Sequence, residues 1–127
     1  MTNSKNPKKR ALIAGILVAI TCAAIYIATP FVRANSIERA IEQHCRMSAF
    51  YPSKLLPQTE WLRVGVDNAN TNADLQRLFE ILQSNAPYLK AVDICIHGNK
   101  WEKADFGRFS NLERVSDIQI KIEDWTD

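Results

Sequence analysis

At 127 residues and a formal charge of +2, the chain has room for one small domain and a short N-terminal segment of different character. Residues 34–127 carry eleven Lys and Arg against fourteen Asp and Glu, a net of −3, so the positive balance belongs to the first 33 residues. A basic nucleic-acid-binding face finds no support in this, and four scattered glycines make no phosphate-cradling loop.

The first element is apolar. Ala11 to Val32 is a run of twenty-two residues without a charge, behind Lys5, Lys8, Lys9 and Arg10. As an α-helix it would reach ~33 Å, enough to cross a hydrocarbon core of ~30 Å. The cationic tail, residues 1–10, resists translocation, which predicts a cytoplasmic N-terminus and residues 33–127 on the outer side of the inner membrane, in the periplasm. The competing reading is a signal peptide cleaved near Ala34, after Val32-Arg33-Ala34, with Pro30 ending the helix and a secreted domain as product. The run exceeds the ~7–15 residues usual for a signal core, which favours a retained signal-anchor. Ala11, Gly15, Ala19 and Ala23 recur every four residues. Such a stripe lets two helices approach closely and offers a route to a homo-oligomer.

After the anchor, Asn35-Ser36-Ile37-Glu38 has the pattern of a helix start with Asn35 as cap. Ile37, Ala40, Ile41, His44, Cys45 and Ser48 share one face at helical spacing, predicting a separate helix over residues 36–48. Tyr51-Pro52 and Leu56-Pro57 break the chain into a loop. Three alternating stretches then read as half-buried strands, with Leu62, Val64 and Val66 in the first, Val92, Ile94 and Ile96 in the second, and Ile118, Ile120 and Ile122 in the third. An amphipathic helix over ~73–85 lies between the first two, with Asp74 at its start and Leu75, Leu78, Phe79 and Leu82 inward. Between the second and third, Trp101, Ala104, Phe106, Phe109 and Leu112 suggest a short helix and a turn at Gly107.

The strands recur after 28 and 26 residues, a period that suits right-handed βαβ units and a parallel sheet. The segment from Tyr88 to Asn99 resembles a leucine-rich repeat, with Leu89, Val92 and Ile94 at the L-x-x-L-x-L places, and Asn111-Leu112-Glu113-Arg114-Val115 opens a second such segment. The resemblance spans roughly residues 60–122. It implies a small sheet with helices on one side, used for binding. The expected fold is therefore α/β: a transmembrane helix, then a domain of about three strands packed on helices.

In that arrangement the sheet's other face presents Arg63, Asp67, Asp93, His97, Gln119 and Lys121 as a candidate binding surface, with Cys95 among them. Cys45 and Cys95 are the two cysteines outside the apolar run, and in an oxidising compartment they are expected to form a disulfide. Such a bond would lay the first helix over the polar face. His44, Cys45, Cys95 and His97 make a poor metal set, because adjacent helical residues point ~100° apart. No motif supplies a nucleophile, an acid–base pair or a cofactor site, so no enzymatic role and no cofactor are expected. The function anticipated is protein binding by a membrane-held domain, such as an immunity or inhibitor protein. The alternatives are a structural subunit of a membrane complex and a small hydrolase using Cys95 and His97.

Overall fold

The computed structural model describes residues 6–52 and 61–125, the Pro30 side chain excepted. A long helix leads into a small mixed α/β unit. Helix α1 spans Pro7–Cys45, 39 residues or ~58 Å. One helix is thus long and apolar enough to cross a membrane. Its cap is Asn6, whose side chain accepts from the Lys9 amide at 3.2 Å.

The helix does not stop at Pro30 and restart at Asn35, as the sequence pattern had indicated; it runs through both. Proline is tolerated inside apolar helices, and the backbone stays helical on both sides of it. Glu38 does not cap either. It accepts from the Tyr51 amide at 3.0 Å and so ties α1 to the chain that returns beside it. The buried stripe is Ala34, Ile37, Ile41 and Cys45, whereas His44 and Ser48 are exposed. The helix ends at Arg46, in the left-handed region at φ 56°.

Strand β1 (Ser48–Phe50) occupies residues expected to be helix end and loop, and pairs antiparallel with β2 (Trp61–Val66). The loop expected around Leu56-Pro57 lies outside the described residues. Helix α2 (Asn72–Ser84) carries a reciprocal cap, with Thr71 accepting from the Asp74 amide and Asp74 accepting from that of Thr71. Strand β3 (Ala91–Ile96) follows, then a 3-10 stretch over Lys103–Phe109 that runs into α3 (Ser110–Val115), then β4 (Gln119–Asp124). The sheet order is β1-β2-β3-β4, with β2, β3 and β4 parallel.

Both crossovers and the upper part of α1 pack on one face of the sheet. Leu62, Val64, Val66, Val92, Ile94 and Ile96 are fully buried there under Leu75, Leu78 and Leu82. Ile118 is buried, and Ile120 and Ile122 are partly buried against the same core, as edge-strand positions should be. Phe79 meets Phe109 edge-to-face with centroids 5.7 Å apart. The expected inward set is thus the observed one.

Asn70 joins the ends of the elements. Its buried side-chain amide donates to the carbonyls of Cys45 at 3.1 Å and Arg46 at 3.3 Å, the orphan acceptors at the end of α1. Asp74 is buried beside it. Burial works to raise its carboxyl, but hydrogen bonds from Thr71 and Asn70 prevail and hold it below the ordinary value.

Candidate functional site on the open face of the sheet

Because α1, α2 and the second crossover share one side, no described element covers the other. That face is built by register. Phe50, Arg63, Asp93 and Lys121 form one row across the four strands, and Ser48, Gly65, Cys95 and Glu123 form the next. Trp61, Ala91 and Gln119 lie in the row below. His97 and Trp125 extend the upper end, their amides donating to Val66 and Ile96 at 2.8 Å each, with the two rings 6.0 Å apart.

The centre of the face is ionic and unusually buried. Asp93 is only 5% exposed and sits between Arg63 and Lys121. Its carboxyl is held above the ordinary Asp value, first by burial and then by a hydrogen bond shared with Glu123. Glu123 is held down to about 2, chiefly by Lys121, 2.5 Å away, and then by the Trp125 indole N–H at 3.0 Å. Of the two carboxyls, Asp93 is therefore the one that takes up a proton first as pH falls. Two buried polar atoms have no partner among the described residues: Asp93 Oδ1 and Arg63 Nε.

Gly65 makes room at the middle of the face. A Cβ there would meet Ser48 Oγ at 2.5 Å and the His97 ring from 3.7 Å. The rim is aromatic: Phe50 is 46% exposed, Trp125 is 48% exposed and Trp61 is half-buried.

Of the residues anticipated on this face, Arg63, Asp93, His97, Gln119 and Lys121 are there. Asp67 is not. Its carboxylate accepts from the Ala69 amide at 2.9 Å and shapes the turn after β2. Glu123, Ser48, Phe50, Trp61 and Trp125 are members outside the anticipated set. Glu123 stands in the same sequence alternation as Gln119 and Lys121 and needed only to be counted with them; Ser48 and Phe50 reach the face only through β1, which pattern did not reveal.

The expected Cys45–Cys95 disulfide is absent, and all three cysteines are free. Cys45 lies in the core under α1, while Cys95 lies on the opposite face of the sheet. The reason is packing: α1 takes the same side of the sheet as α2, and the sheet stands between the two sulfurs. The same separation keeps His44 and Cys45 away from Cys95 and His97.

Cys95 is no poised nucleophile either. Burial, then Asp93, pushes its thiol up to about 11, and its hydrogen bond goes to Asp93, not to His97. One ligand atom from each of Asp93, Cys95 and Glu123 lies within 4.8 Å of the others, a spacing that can hold a metal ion. The side chains of Lys121 and Arg63 already bring positive charge to that place. The stripe Ala11, Gly15, Ala19 and Ala23 is exposed along α1. A comparison with protein-family models, with curated proteins and with solved structures finds no match for the chain.

Proposed function

We propose that the chain is a membrane-anchored protein-binding module that offers the open face of its sheet to a partner on the periplasmic side of the inner membrane. The observation that carries this reading is that face: a sheet surface that no described element covers, with a buried ionic centre, two polar atoms that have no partner among the described residues, and an aromatic rim. Aromatic side chains and Arg are the residues that anchor interfaces, and buried polar atoms are rarely left unsatisfied. The parallel strands with helices on one side suit the leucine-rich-repeat resemblance, in which the uncovered face binds. An immunity or inhibitor protein is the concrete form we favour, on the small size of the domain and the net −3 charge of residues 34–127.

Retention of the anchor is favoured by the continuity of α1. Residues 32–34 are helical, Ala34 is buried against the domain, and the Arg33 guanidinium lies 4.4 Å from the centre of the Tyr88 ring.

The test is quantitative proteomics on crosslinked native membranes. One partner should be enriched with the wild-type chain, lost with R63E combined with W125A, and kept with Q76A on the outer side of α2. Enrichment that ignores the open-face variant, or falls equally with Q76A, would sink the reading. A periplasm-active reporter fused after Asp127 should be active, and a product beginning at Asn35 would replace the anchor with a signal peptide.

A further inference from the structure

Resting on the anchored reading, we propose that the lower end of the domain, around Tyr88 and Val115, is a lipid-contacting rim seated on anionic headgroups by Arg33, Lys90 and Arg114.

The fold determines which end faces the bilayer. Tyr88 stacks on Arg33, the first residue after the apolar run, so both lie at one height on α1. Tyr88 is three residues before β3, and the Lys90 carbonyl accepts from the Gln119 amide at 2.9 Å, which places the starts of β3 and β4 at that same end. Helix α3 descends to it: Glu113 accepts from the Ile120 amide at 2.7 Å, and Val115 closes the helix just beyond. The opposite end is marked by Asn70 on the Cys45 carbonyl, twelve residues and ~18 Å farther along α1.

Exposure and charge agree with this orientation. Tyr88 is 44% and Val115 75% exposed. Both are at the end nearest the apolar run. Lys90 and Arg114 are exposed beside them. Aromatic rings at headgroup level and cations close to an anionic leaflet are each stabilised there. The occupant is therefore lipid, continuous with the surface that α1 enters.

The test uses the full chain reconstituted in phosphatidylcholine vesicles with and without phosphatidylglycerol. Benzoylphenylalanine, a photo-crosslinking residue, replaces Leu17, Tyr88, Val115 or Ala69 in turn, and adducts are read by mass spectrometry. Lipid adducts at 17, 88 and 115 and none at 69, on the far turn, support the proposal. Adducts at 17 with none at 88 and 115 overturn it and leave the anchor standing, as does a protein adduct at 115. No lipid adduct at 17 overturns the anchor and this proposal together. K90E combined with R114E should lower the yield at 115 several-fold in phosphatidylglycerol-containing vesicles and leave 17 unchanged; an unchanged yield at 115 overturns the headgroup assignment.

Discussion

Ile94→Ala is the sharpest probe of the packing. Ile94 is fully buried on the central strand β3, between Val64 and Ile122 in register. Truncation removes three carbons. At ~0.8 kcal/mol per buried methylene the transfer loss alone is about 2.4 kcal/mol. Leu78 and Leu82, fully buried in the same core, belong to a helix capped at both ends and cannot collapse fully into the space. The cavity left behind should bring the total into the range of about 2–5 kcal/mol. Against a total stability of ~5–15 kcal/mol, this is a large fraction. For a domain of this size each kcal/mol moves the melting temperature by roughly 4–8 °C, so a drop of at least ~10 °C is expected. The assay is urea and thermal unfolding of the full chain in detergent micelles, followed by tryptophan fluorescence. Gln119→Ala, exposed on the opposite face, is the control and should stay within ~0.5 kcal/mol of wild type. If Ile94→Ala unfolds with wild type, the inward set is wrong and the strand register must shift by one.

Three further outcomes can be measured. Thiol alkylation after denaturation without reductant should label Cys22, Cys45 and Cys95 alike, and a mass that changes only with reductant would restore the disulfide. Asp93, held above its ordinary value of 3.8, keeps a proton in the folded chain where the unfolded chain has lost it, so its contribution to stability shrinks as pH rises through that window. Asp93→Asn should therefore gain on wild type from acidic to neutral pH in denaturation at stepped pH; a difference that shrinks instead would refute the burial argument. Glu123 acts in the opposite sense: held down to about 2 from 4.5, it gives stability that is lost as pH falls through that range. Gly98→Ala should cost about 1–3 kcal/mol in the same unfolding assay, because φ is 83° there and a Cβ would collide with the Asn68 side chain; a neutral result would remove the strain at that turn.

Local pattern carried the apolar run, the three long strands, α2 and the inward residues Val64, Ile94 and Ile120 without tertiary information. Alternation with period two and leucines at helical spacing are properties of short windows, and burial enforces them directly. Pairing was less legible. β1 is three residues long, too short to alternate visibly, so Phe50 and Ser48 could not be placed on the open face. Nor could local signals show that Pro30 and Asn35 would be carried inside one helix. A cap pattern is only one way to satisfy backbone groups, and α1 satisfies them by continuing. The largest gap concerned Cys45 and Cys95. Each was placed correctly on its own element, inward on the helix and outward on the strand. Which side of the sheet α1 would choose was settled by the core it shares with α2, where Ile37 and Ile41 meet the leucines. That choice separates the sulfurs, leaves the face of Arg63, Asp93, Glu123 and Lys121 uncovered by any described element, and exists only once the whole chain is folded.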